Sequence, residues 1–213
     1  MTRAIIVSGT DTGIGKTVAA AALVQRLGAD YWKPVQAGLD GETDRETVAR
    51  LTRALPERLH AETYRLGTPA SPHRAAEIDQ VEIDLARLTP PETLAPLVIE
   101  GAGGLLVPLT RAVLQIEQFR RWGFPVVLVS PTRLGCINHA LLAVEALKRR
   151  EMRIAGILFV GDENSDSQRT ILDFAGVPSI GRLPWRAPPD AAWLQAAADA
   201  HIDTAPLVPL LER

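Results

Sequence analysis

Ala4–Val7 is a continuous apolar run, and the ten residues after it, Ser8-Gly9-Thr10-Asp11-Thr12-Gly13-Ile14-Gly15-Lys16-Thr17, lead straight into the helix-like Val18–Leu27. A strand, a glycine-bearing loop and a helix in that order form the context a phosphate-binding loop requires. Gly13 and Gly15 let backbone N–H groups curl around phosphate oxygens, and the helix N-terminus adds the positive end of its dipole. Lys16 would then reach the β- and γ-phosphates, and the Thr17 hydroxyl would hold Mg²⁺. The spacing departs from G-x-x-x-x-G-K-[ST] by one place, because Thr10 stands where the first glycine belongs and Gly9 precedes it. A nucleoside triphosphate site is the strong inference.

The rest of the chain repeats the same alternation. Strand-like runs at Asp30–Lys33, Leu97–Ile99, Pro125–Val129, Ile154–Val160 and Ser179–Gly181 are separated by helical periods at Thr43–Ala54, Gln115–Trp122, Cys136–Arg150 and Ser167–Ala175. Strands that are apolar throughout suit a parallel sheet covered on both faces. The expectation is therefore an α/β three-layer fold of the P-loop NTPase-like kind, with a mostly parallel central sheet flanked by helices. Leu55–Pro96 is the weakest stretch, broken by Pro56, Pro69, Pro72, Pro90, Pro91 and Pro96, and reads as loops with one strand near Thr63–Leu66 and a helix near Ile83–Leu88. No repeat and no linker divides the sequence, so residues 1–213 are read as one domain.

Composition excludes several classes. The 23 Lys+Arg nearly cancel the 25 Asp+Glu, which gives no support to nucleic-acid binding driven by bulk charge. A single cysteine, Cys136, leaves no disulfide framework, and the scattered His60, His73, His139 and His201 form no convincing zinc set. No apolar run approaches the roughly 20 residues that span a bilayer. The N-terminal residues lack the long apolar stretch of a secretory signal, so the expectation is a compact cytoplasmic protein without a membrane or nucleic-acid partner.

A metal-bound triphosphate needs acids as well as cations. Leu97-Val98-Ile99-Glu100 is an apolar strand ending in a carboxylate, followed by the flexible Gly101-Ala102-Gly103-Gly104. Ligands of open parallel sheets gather at the carboxyl ends of strands, so Glu100 should face the nucleotide and ligate Mg²⁺ directly or through water. A second acid lies in the loop Leu39–Asp44, where Asp40, Glu42 or Asp44 would serve on chemistry alone and Asp44 is the choice. Lys33 ends the second strand beside the same edge as Lys16, where it could stabilise charge on a transferred phosphoryl group or merely sit in solvent. Cys136-Ile137-Asn138-His139 reads as the start of a helix.

Taken together and in order, these segments resemble the dethiobiotin synthetase family of biotin biosynthesis. The resemblance rests on Gly9-Thr-Asp-Thr-Gly-Ile-Gly-Lys-Thr17, Lys33-Pro-Val-Gln-Ala-Gly38, Ser71-Pro-His73, Glu100-Gly-Ala-Gly-Gly-Leu-Leu-Val-Pro108 and Leu134-Gly-Cys-Ile-Asn-His139. It implies an ATP-dependent cyclo-ligase that converts 7,8-diaminopelargonic acid and CO₂ to dethiobiotin, through a carbamate that attacks the γ-phosphate. The nucleotide contacts it implies come from Gly13, Ile14, Gly15, Lys16, Thr17 and Val18, from Asp44, and from Glu100, Gly101, Ala102 and Gly103, with Thr17, Asp44 and Glu100 on Mg²⁺. Lys16, Lys33 and Thr12 take the catalytic roles, and Thr12, Lys33 and Ala37 face the substrate. By the same resemblance Cys136, Ile137 and Asn138 of a neighbouring subunit bind the distant substrate carboxylate at a helix N-terminus, which implies a homodimer.

Two positions depart from the family. Ala37 stands where a Ser or Thr is often found, so a substrate-facing hydroxyl is absent. Val160 stands where an Asn commonly reads the adenine edge, leaving Asp162, Asn164 or backbone groups near Pro184 and Trp185 to recognise the base. The alternative reading is a regulatory ATPase switch of the same deviant P-loop superfamily, of the partitioning or positioning type. Against it, Pro209–Arg213 is too short for a basic amphipathic membrane anchor.

Overall fold

The computed structural model describes residues 2–212. Its elements in order are β1 (Ala4–Gly9), α1 (Lys16–Leu27), β2 (Asp30–Trp32), β3 (Val35–Ala37), α2 (Asp44–Thr52), β4 (Leu59–His60), β5 (Tyr64–Leu66), α3 (Pro72–Ile78) and β6 (Leu97–Gly104). The second half continues with α4 (Gln115–Trp122), β7 (Val126–Pro131), α5 (Cys136–Lys148), β8 (Ile154–Val160), α6 (Ser165–Ala175), β9 (Ser179–Leu183), α7 (Ala191–His201) and α8 (Val208–Leu211).

Seven strands form one sheet in the order β4-β2-β6-β1-β7-β8-β9, and every pairing in it is parallel. Residues 5, 6 and 7 of β1 are all Ile or Val and fully buried, as expected of a central strand with helices on both faces. Burial of such side chains contributes about 1.5–3 kcal/mol each. One apolar layer packs Ile5, Val7, Tyr31 and Val98 beneath α1, α2 and α7, and the other packs Ile6, Trp32, Ile99 and Phe119 against α4, α5 and α6. The chain leaves β1 toward β2 on one side and later crosses to β7 on the other. The loop after β1 therefore opens at the switch point of the sheet, where ligand crevices form.

The stretch from Leu55 to Pro96 holds more structure than its prolines suggest. The expected helix near Ile83–Leu88 is only a 3-10 turn at Leu85–Arg87, which Asp84 starts by accepting from the Ala86 N–H at 2.9 Å. Conversely, Pro72 opens the unanticipated α3 from its first turn, where a missing N–H costs no hydrogen bond. This helix covers a small parallel pair, β3 with β5, through a third apolar cluster that includes Val35, Tyr64, Leu66 and Ala75. The helix α7 was also unforeseen. Asp190 caps it by accepting from the Trp193 N–H at 2.8 Å.

Candidate active site

A cleft of about 650 Å³ opens above the carboxyl ends of β1, β2 and β6. Its floor is the loop between β1 and α1. Gly13 and Gly15 both adopt positive φ, at 70° and 88°, which glycine alone tolerates readily. The displaced first glycine also has a physical reason. A side chain at Gly9 would meet Ile14 Cδ1 at 2.8 Å and Lys16 Cδ at 2.9 Å. Ile14 itself is buried in the apolar layer and anchors the loop from below.

Lys16 donates to the carbonyl of Asp11 at 2.5 Å across the loop. Burial lowers its pKa, against an opposing pull from Glu100. Thr17 Oγ1 lies 2.7 Å from Asp44 Oδ1 and 3.0 Å from Glu100 Oε1, and shares its single proton between them. Asp44 reaches this point because Thr43 and Glu46 form a reciprocal capping box that starts α2 and makes Asp44 its first residue. Neither other loop acid competes. Glu42 is held at the surface by Arg50 at 2.7 Å, and Asp40 is exposed.

Lys33 is buried and bridges the two acids, contacting Asp44 Oδ2 and lying 3.2 Å from Glu100 Oε1. Burial works against its charge, but Glu100 and then Asp44 outweigh it and hold the ammonium above its ordinary pKa. For Asp44 burial is opposed by Lys33 and the net shift is downward, so this carboxyl is ionised near neutrality. Burial pushes the Glu100 carboxyl upward, against the pull of Lys33. The donors that converge here, one hydroxyl and two carboxylates, are all hard oxygens, which suits Mg²⁺ and not a soft ion. A cation already sits among them in the form of the Lys33 ammonium.

The remaining walls come from Thr12, Val18, Ala37, Ala102, Gly103, Val107 and Trp185, together with Gln36 and Pro69–Pro72. Gly101, Pro184 and Ile14 do not line the cleft, and Cys136, Ile137 and Asn138 lie outside it at the start of α5. Cys136 is buried in apolar packing and Asn138 is exposed. Asn164 is engaged as the cap of α6, accepting from the Ser167 N–H at 3.2 Å. Val160 packs against the phosphate loop, where a side chain at Gly15 would meet it at 2.9 Å.

Three residues given no role from the sequence also shape the site. Tyr31 donates to Glu100 Oε2 at 2.8 Å from full burial. Gln36 accepts from the Asp44 N–H at 3.3 Å and donates to the Gly38 carbonyl at 3.1 Å. Gln115 clamps the end of β6, which runs on through the glycines expected to form a loop, accepting from the Ala102 N–H at 2.7 Å and donating to the Gly104 carbonyl at 3.1 Å. No local signal pointed to Tyr31 or Gln115, whereas Gln36 lies within the Lys33–Gly38 segment.

Residues 3–192 match the family described as AAA domain. An ATP-dependent dethiobiotin synthetase BioD of Rhodopseudomonas palustris (strain HaA2) is 56% identical over 204 residues, which span 96% of each chain. Its counterpart from Sphingopyxis alaskensis is 55% identical, across 96% of this chain and 98% of that one. Among solved structures, a ParA family ATPase from Chlorobium tepidum TLS superposes with a TM-score of 0.54 at 15% identity, over 93% of this chain and 91% of the other. The septum site-determining protein MinD from Pyrococcus horikoshii OT3 gives 0.52 at 16% identity, over 94% and 96%. At such identities these two establish the fold alone.

Proposed function

The chain belongs to the ATP-dependent dethiobiotin synthetase family, and on that premise we propose that it closes the ureido ring of dethiobiotin from 7,8-diaminopelargonic acid, CO₂ and ATP. The observation that carries this reading is the convergence of Thr17, Asp44, Glu100 and Lys33 at one end of a phosphate-loop cleft. The regulatory-switch reading shares the fold but not the near-full-length identity to the synthetases.

In the proposed sequence, one substrate amine adds to the carbon of CO₂ and loses a proton, giving a carbamate. A carbamate oxygen attacks the γ-phosphorus, and the bond to the β,γ-bridging oxygen breaks to release ADP. The second amine then attacks the carbonyl of the mixed anhydride, and phosphate leaves as the ring closes. Such a path asks the protein mainly for positioning and charge compensation. Lys16 and the amides of Gly13, Ile14, Gly15, Thr17 and Val18 would hold the phosphates. Thr17, Asp44 and Glu100 would hold Mg²⁺, which when bound neutralises charge on the β- and γ-oxygens. Thr12 and Lys33 would orient the carbamate, with Ala37 in van der Waals contact. Ala102, Gly103 and Trp185 would enclose the nucleotide, with Gly101 and Pro184 supporting these segments from outside the cleft.

The same reading makes the molecule a cytoplasmic homodimer of one P-loop NTPase-like domain, with Cys136, Ile137 and Asn138 of each subunit serving the other's substrate carboxylate. An apolar groove between the loop after β6 and α5 supports the pairing, since Leu106 and Leu142 on its walls are 51% and 55% exposed. Incubation of pure protein with diaminopelargonate, bicarbonate and MgATP should yield dethiobiotin, detected by mass. Folded protein that forms none would falsify the assignment.

A further inference from the structure

We propose that Tyr31 is a positioning residue, whose hydroxyl fixes one oxygen of Glu100 so that the other stays aimed at Thr17 and the metal. The inference rests on the reading of Glu100 as a metal ligand given above. Its basis is how the two carboxylate oxygens are divided. Oε1 faces the cleft, 3.0 Å from Thr17 Oγ1 and 3.2 Å from Lys33 Nζ. Oε2 has a single hydrogen-bond partner among the described residues, the Tyr31 hydroxyl at 2.8 Å, and that hydroxyl has no other partner.

The pairing follows from strand register. Tyr31 lies opposite Val98 in the parallel β2–β6 ladder, and side chains two apart on a strand share a face, so Tyr31, Val98 and Glu100 all project toward α1, where Glu100 meets Thr17. Tyr31 is 0% exposed and Glu100 is 1% exposed. A carboxylate so deeply enclosed is costly unless its oxygens are bonded. Without the phenol, the carboxylate plane would tilt freely about its last torsion, because that torsion is broad. With the phenol in place the plane is fixed, and Oε1 would be the oxygen held toward Thr17 and the metal. Partners that orient a ligating carboxylate typically change metal affinity by about 10–100-fold when removed. The ring of Tyr31 fills the apolar layer as Phe would, so Tyr31→Phe isolates the hydroxyl.

The test is calorimetric titration of a non-hydrolysable ATP analogue into wild type, Tyr31→Phe and Glu100→Gln, each with Mg²⁺ and with EDTA. The expected result is that Tyr31→Phe binds the analogue like wild type in EDTA but loses at least about tenfold of the enhancement that Mg²⁺ confers. Glu100→Gln should lose that enhancement as well. If Tyr31→Phe keeps the wild-type enhancement while Glu100→Gln loses it, the positioning role is overturned and the metal site stands. Equal weakening of Tyr31→Phe with and without Mg²⁺ would mark a merely structural role and overturn the proposal too. Unchanged enhancement in Glu100→Gln would remove both the metal reading and the role of Tyr31.

Discussion

The ammonium of Lys33 lies 3.2 Å from Glu100 Oε1, and both residues are buried at the floor of the cleft. In the absence of bound metal, this lysine is the nearest compensation for the charge of Glu100 and Asp44. Loss of one partner from a buried ionic cluster costs about 3–5 kcal/mol, because the charge left behind is unpaired. Lys33→Met should therefore lower unfolding stability by about 3 kcal/mol in EDTA. MgADP should restore part of that loss, since a ligand that binds only the folded state stabilises it. Dethiobiotin formation should be abolished while nucleotide still binds. Urea unfolding with and without MgADP checks the first pair of outcomes, and unaltered stability in EDTA would refute them.

Trp185 is the one aromatic residue among the described residues of the cleft wall, and Val160 offers the base no polar side-chain group. Stacking of a base on an aromatic side chain is worth about 1–3 kcal/mol. Trp185→Ala should raise KM for ATP about tenfold or more, with a smaller change in kcat. Because a π-face does not distinguish bases, GTP and CTP should suffer similar losses. Steady-state kinetics with the three nucleotides would show this, and an ATP-specific loss would instead assign base reading to Trp185.

Burial pushes the Cys136 thiol above its ordinary pKa, so at neutral pH it is a small apolar group in the packing of α5. Cys136→Ser should cost stability rather than turnover. A hydroxyl buried there without a partner costs about 1–3 kcal/mol, while the backbone N–H groups of the helix start stay in place. Near-complete loss of activity in a folded variant would contradict the expectation that Cys136 acts through its backbone and size.

Glu77 joins α3 to the loop before α4. It accepts from Arg111 at 2.5 and 2.7 Å and from Arg74 at 3.1 Å, and these bonds lower its pKa to about 2. A carboxyl with a depressed folded-state pKa binds its proton more readily when unfolded. Its contribution is complete above the unfolded value of 4.5 and fades as pH falls toward about 2. Glu77→Gln should thus flatten the stability curve between these limits and leave its slope near neutrality unchanged. Urea midpoints across that range measure the difference, and parallel curves would exclude the contribution.

Much of this molecule is local, and what is local was legible. The loop after β1 is built from residues within ten positions of one another, so order and spacing were enough to group Gly13, Gly15, Lys16 and Thr17, which line one cleft. Buried parallel strands announce themselves as unbroken apolar runs, which made the α/β layering readable. Leu55–Pro96 misled because proline reads as a breaker, whereas Pro72 in a first helical turn is an initiator.

Which acid serves Thr17 was not readable among Asp40, Glu42 and Asp44. It depends on the capping box that starts α2 at Asp44 and on Arg50 drawing Glu42 to the surface. Tyr31 meets Glu100 across 69 positions only because the β2–β6 register sets Tyr31 beside Val98. Gln115 reaches the end of β6 only once α4 has packed on the sheet. The sequence alone therefore determined the phosphate loop, the layered class and, through its motifs, the family. Tertiary structure decided which acid, which phenol and which amides complete the site, because hydrogen bonds between distant residues follow strand register and helix starts that no local spacing encodes.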